Sequence, residues 1–146
     1  MNTLEVVYDD GGRSKYYKAS SVGDCVTRAI AIAANMDYKE VYQMIIDITH
    51  RKGRHKTKYN SHPRNGVLKK DIIIAMERLG FTWHPCMSIG TGCKVHLAKD
   101  EIPMDKTIIC NVSKHLVAVI NGVIHDIYDP SKDGTRCVYG YWEKTA

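Results

Sequence analysis

The spacing of apolar positions changes character near residue 80. Before it, apolar residues recur at helical period; after it, they gather into short β-branched runs separated by Gly and Asn. From Cys25, residues 26–34 are strong helix formers with few polar positions, the pattern of a helix buried on most sides, and Asp24 stands at the favoured N-cap. The capping box Asp37-Tyr38-Lys39-Glu40 signals a second helix, with Val41, Met44, Ile45 and Ile48 on one face. A third follows Asn65-Gly66, where Leu68, Ile72, Ala75, Met76 and Leu79 align and Gly80 is a stop. Residues 4–8 predict a short strand closed by the turn signal Asp9-Asp10-Gly11-Gly12. Residues 107–112 and 115–120 predict two more, and Asn121-Gly122 joins the second to a run over 123–128, a strong hairpin signal. Residues 136–142 predict a last strand. Helices first and strands second define an α+β fold, N-terminal helices packed on a C-terminal antiparallel sheet with a cleft between them.

A chain of 146 residues has room for one core, so residues 1–146 are expected to form a single domain. No run is long and apolar enough for a membrane span, and the N-terminus lacks a signal-peptide pattern, so the cytoplasm is the expected compartment and no membrane partner is implied. The five cysteines, at 25, 86, 93, 110 and 137, are odd in number and without paired spacing, which predicts reduced thiols rather than a disulfide framework. They also lack a Cys-x-x-Cys pair, so no metal site is expected.

A cysteine in the first turn of a helix faces unpaired N–H groups and the positive end of the helix dipole, both of which favour a thiolate. Cys25 has that position; without a base it would be only a small buried hydrophobe. The hairpin supplies a candidate base. A two-residue Asn121-Gly122 loop pairs Ile120 with Val123, which sets Val117 opposite Asp126 and His115 opposite Tyr128. Asp126 and His115 are then diagonal neighbours on one face, within side-chain reach. Between apolar strands a lone carboxylate is costly, and an imidazole is its economical partner. His125 falls on the opposite face and reads as structural, and Asp129, in Asp129-Pro130-Ser131, reads as a turn residue.

In this order, Cys at a helix start, His on a strand and Asp on the next strand, the chain resembles the papain-like cysteine peptidase superfamily. Residues 23–29 and 115–126 look like its short, phage-encoded branch, and the likeness spans about residues 21 to 142. The resemblance implies a papain-like fold and hydrolysis of a peptide, isopeptide or amide bond by a Cys25, His115 and Asp126 triad. It also implies a protein or peptide substrate, no cofactor and, for a bacteriophage protein, the host cytoplasm. Many relatives carry an oxyanion-stabilising Gln at the position of Ala19; here Ser20 and Ser21 are the oxyanion candidates.

The net charge is +5, but residues 51–70 hold eight Lys or Arg and no acidic residue. Within them Arg51, Lys52, Arg54, Lys56, Lys58 and Arg64 lie on a stretch with Gly53, Ser61 and Pro63 and no periodicity, which predicts a long loop. That loop is the basis of an alternative function: a weak or inactive papain-like module that binds an acidic partner or nucleic acid through the basic 51–70 loop, with Lys69 and Lys70 beside the six residues named.

Overall fold

The computed structural model describes residues 2–17, 23–51, 61–88 and 90–145. It is an α+β structure in which three helices, α1 (Cys25–Ala33), α2 (Tyr38–Thr49) and α3 (Lys69–Arg78), accompany a six-stranded sheet. The strands are β1 (Glu5–Tyr8), β2 (Phe81–Pro85), β3 (Thr107–Val112), β4 (His115–Ile120), β5 (Val123–Asp126) and β6 (Gly140–Lys144), and they lie in the order β1-β5-β4-β3-β6-β2. No described helix is long and apolar enough to cross a membrane.

Alternation along the central strands divides the apolar residues between two faces. Ile109, Leu116 and Ala118 join Ile30, Val41, Ile45, Ile48 and Met76 beneath the helices. Ile108, Cys110, Val112, Val117 and Val119 meet Leu97, Ile102, Ile124 and Val138 on the other side. Burying Leu, Ile or Val side chains of this kind stabilises by roughly 1.5–3 kcal/mol each, so both layers hold the sheet that carries the site.

The β4–β5 hairpin has the expected register, with Ile120 opposite Val123 and Ala118 opposite His125. Asn121 and Gly122 both take positive φ, 50° and 77°, as a two-residue turn of this kind demands. The second helix is capped by Asp37, whose carboxylate accepts from the Lys39 N–H at 3.2 Å.

Three expectations are corrected. The sheet is mixed rather than antiparallel, because β1 runs parallel to β5 with Tyr8 beside Asp126. The last strand starts later than residue 136. Residues 136–138 instead exchange hydrogen bonds with the 95–97 segment, Leu97 N–H to Arg136 O and Val138 N–H to Val95 O at 2.8 Å each, and the chain turns to β3 and β2 from Tyr139, whose N–H donates to the Asn111 carbonyl at 2.9 Å, with β6 itself starting at Gly140. The thiols are not all reduced. The isolated bridge between His96 and Cys137 brings Cys93 close enough for a disulfide with Cys137, Cα–Cα 5.8 Å, leaving Cys25, Cys86 and Cys110 free.

Candidate active site

Cys25 is the first residue of α1, while His115 opens β4 and Asp126 closes β5, so the latter two share the end of the hairpin opposite its turn. The structure brings all three together. His115 Nε2 lies 2.7 Å from an Asp126 carboxylate oxygen, and both residues are buried. Its other nitrogen is left for Cys25, whose thiol feels both the imidazole and the Leu116 N–H. Tyr128, the residue expected across from His115, packs its ring against the imidazole at 5.4 Å between centroids.

Burial pushes the Cys25 thiol up, but the hydrogen bonds from His115 and Leu116 and the positive charges of His115 and Arg28 outweigh it, leaving the thiol below its ordinary range. Burial alone would lower the His115 imidazolium. The Asp126 carboxylate and the Cys25 sulfur reverse that, raising it to about 9. Burial would likewise raise Asp126, yet its bond and Coulombic attraction to His115, the Ile127 N–H at 2.7 Å and the Arg28 charge hold it below the usual carboxylate range. These shifts together favour a thiolate–imidazolium pair backed by an ionised carboxylate.

Behind the three lies a buried ionic chain that periodicity alone does not reveal. Arg28, one turn along α1 from Asp24, gives Nε to Asp24 at 2.8 Å and a terminal nitrogen to Asp126 at 2.6 Å. Arg13 reaches the same Asp24 at 3.2 Å, and the Tyr38 hydroxyl donates to it at 2.9 Å. Two guanidinium groups thus face two carboxylates, which keeps the interior neutral, as a buried charge cluster must be. The turn after β1 delivers Arg13. Asp9 and Asp10 accept from the Gly11 and Gly12 N–H groups at 2.9 and 3.0 Å, and a Cβ at Gly11 would meet the Arg28 carbonyl at 3.0 Å.

Asp24 is therefore the N-cap residue of α1 by position, but its side chain does not cap the helix. The first-turn N–H groups of α1, including that of Cys25, have no intrahelical acceptor. Backbone groups of this kind are able to serve as oxyanion donors, which side-chain reasoning overlooks. The side-chain candidates Ser20 and Ser21 lie outside the described residues.

His125 and Asp129 have other partners: His125 meets Asp9 at 3.1 Å, and Asp129 accepts from the Ser131 N–H at 2.9 Å. Of the basic candidates, Lys52, Arg54, Lys56 and Lys58 lie outside the described residues. Arg51 is engaged internally, donating to Asp71 and to the Ile48 carbonyl at 2.7 Å each. Arg64 sits over the Tyr17 ring at 4.1 Å. The neighbouring Pro63 carbonyl accepts from Thr27 at 2.5 Å, tying this end of the basic stretch to α1 two residues beyond Cys25.

Fold and side chains together define an α+β protein in which a half-buried Cys at a helix N-terminus meets a buried His-Asp pair. No protein-family model, curated protein or solved structure matches the chain.

Proposed function

We propose that this is a papain-like thiol hydrolase that cleaves a peptide, isopeptide or amide bond. The observation that carries the reading is the contact series from Cys25 to His115 to Asp126, with His115 Nε2 2.7 Å from the carboxylate. The Cys25 thiolate attacks the carbonyl carbon, a C–S bond forms, and the oxygen's negative charge meets the free amides at the start of α1. As the C–N bond breaks, the His115 imidazolium gives its proton to the leaving nitrogen, producing an acyl-thioester. The neutral His115 then deprotonates a water molecule, which attacks the thioester and returns Cys25 as the leaving thiolate, paired again with imidazolium. Asp126 keeps the imidazole oriented and offsets its charge throughout.

The test is Cys25→Ala. The fold is expected to persist, since Cys25 adds little packing, while reaction with an electrophilic peptidase probe and hydrolysis of a casein digest both vanish. Probe labelling at an unchanged rate in the variant would remove Cys25 from the site.

A further inference from the structure

Asp126 divides its two oxygens between different partners. One meets His115 Nε2 at 2.7 Å, and the other accepts from Arg28 at 2.6 Å and from the Ile127 N–H at 2.7 Å. In a buried carboxylate these contacts fix the rotation of the group and leave a single oxygen for the imidazole.

The same guanidinium reaches back along α1. Its Nε donates to Asp24 at 2.8 Å, and Asp24 is joined to Cys25 by one peptide bond. Arg13 and the Tyr38 hydroxyl hold Asp24 from other elements, at 3.2 and 2.9 Å. Arg28 therefore spans the residue before the thiol and the partner of the base, which its planar fork of fixed donors allows. A lysine ammonium is a single point of charge and lacks that span.

The charge of Arg28 matters as much as its reach. An ionised carboxylate beside an imidazolium holds the proton tightly. That suits protonation of a leaving nitrogen but hinders the second step, in which neutral His115 must take a proton from water. Arg28 sets a positive charge on the far oxygen of Asp126, so part of the carboxylate's field is offset before it reaches His115. The other groups that bear on the imidazole are Cys25 on α1 and the Tyr128 ring beyond β5, while Asp24, Arg13 and Tyr38 stand behind Arg28.

We propose that Arg28 is a positioning residue of the thiol hydrolase. It braces the start of α1 to Asp126 and tempers the charge that Asp126 presents to His115, so that one imidazole serves as acid in the first step and as base in the second. The proposal rests on the hydrolase reading, and its test separates the two.

The experiment follows the carbon-13 resonance of the His115 Cε1 against pH in the full-length chain, assigned by its loss in His115→Gln. In parallel it follows the pH dependence of Cys25 alkylation by iodoacetamide. The unsubstituted chain should show a His115 midpoint at about 9. In Arg28→Met that midpoint should rise by about 0.5 or more, because Asp126 then acts on the imidazole undiminished. The midpoint of Cys25 alkylation should rise with it, since the Arg28 charge helps to lower the thiol against burial. A purely structural role gives the opposite sign, because a loosened Asp126 leaves His115 and the midpoint falls toward 6.5. Arg28→Lys keeps the charge without the span. Its His115 midpoint should stay nearer that of the unsubstituted chain, while Cys25 alkylation at pH 7 slows about threefold or more as the brace is lost. An unchanged or lowered His115 midpoint in folded Arg28→Met overturns the proposal, and so does an Arg28→Lys variant that matches the unsubstituted chain in both readouts. Where Arg28→Met does not fold, Arg28→Lys decides alone. Slow, non-selective alkylation of the unsubstituted chain overturns the hydrolase reading itself. Rapid alkylation of Cys25 alongside unaltered Arg28 variants overturns only the positioning role.

Discussion

Cys25 competes for its proton with His115, and the shifts of the two define a pH window. The thiol lies below its ordinary value of 9.0 and the imidazolium is raised from 6.5 to about 9, so the ion pair exists from the lowered thiol pKa up to about pH 9. Burial raises the other free thiols, Cys86 and Cys110, so at pH 6 both are protonated. Iodoacetamide at pH 6 is therefore expected to modify Cys25 about tenfold or more faster than Cys86, because the thiolate is the reacting species. Mass spectrometry of the digested chain measures this, and equal rates would contradict the assigned ion pair. Alkylation and hydrolysis should part company at high pH. The thiolate persists above pH 9, so alkylation stays fast, whereas loss of the His115 proton removes the acid that the leaving nitrogen needs and hydrolysis falls. Asp126→Asn removes the charge that raises His115, so the alkaline limb of hydrolysis should move down from about 9 toward 6.5. Asp129→Asn, which alters only a turn, should leave that limb in place.

On α1, the residue that matters after Cys25 is Arg28, which fastens the helix to β5 through Asp126 and to the preceding turn through Asp24. Arg28→Met leaves two buried carboxylates short of a cation, and breaking a buried pair in this way costs about 3–5 kcal/mol. Lys106→Met removes a partly exposed surface pairing with Glu143 at 3.5 Å, of a kind worth about 0–1 kcal/mol. Urea unfolding of the two variants should show that difference, and a smaller loss for Arg28→Met than for Lys106→Met would mean the network carries little. The grouping of Cys25, His115 and Asp126 was legible in the sequence, but this network was not. Asn121-Gly122 leaves one tight turn and hence one register, so the proximity of His115 and Asp126 follows from local rules. Arg28 and Asp126 are 98 residues apart, and an arginine in a helix pattern is ordinarily a solvated one. Their meeting depends on how α1 lies on the sheet, which periodicity does not encode. The parallel placement of β1 was hidden for the same reason, since alternation marks a strand but not its partner or direction. The 136–138 segment has strand composition yet pairs with a loop, because the 95–97 segment occupies its hydrogen-bonding groups before β6 begins.

Across the whole molecule, charge and covalent structure bear on different segments of the chain. Pro63, beyond the basic run, is tied beside Cys25 by the bond from Thr27, and we propose that the charge of the stretch steers an acidic substrate toward the thiol. Arg51 is best kept in any test, since it holds Asp71. Replacing Lys52, Arg54, Lys56 and Lys58 with Ser should leave the urea midpoint nearly unchanged while reducing the salt dependence of capture of an acidic peptide, because charge steering is screened over about 8 Å at physiological ionic strength. Unchanged salt dependence would assign the stretch no part in recognition. The disulfide acts on a different part of the chain. Cys93 and Cys137 close a loop of 44 residues that contains β3, β4 and β5, so it confines the unfolded chain around the strands that carry His115 and Asp126. Loop-closure entropy for that length corresponds to about 4 kcal/mol. Cys137 also lies three residues before Gly140, so the link anchors the approach to β6, against which Trp83 packs. Two consequences separate the entropic role from the local one. Cys93→Ser with Cys137→Ser should lower the stability measured in urea by about 3–4 kcal/mol through the unfolded state, yet leave the rate of Cys25 alkylation in the folded protein nearly unchanged. Tryptophan emission of the folded variant should shift if the β6 approach loosens, since Trp83 and Trp142 stand on that edge. A stability loss with both folded-state signals constant would confine the disulfide to the unfolded chain, and no stability loss would mean that the pairing of residues 95–97 with 136–138 suffices without it.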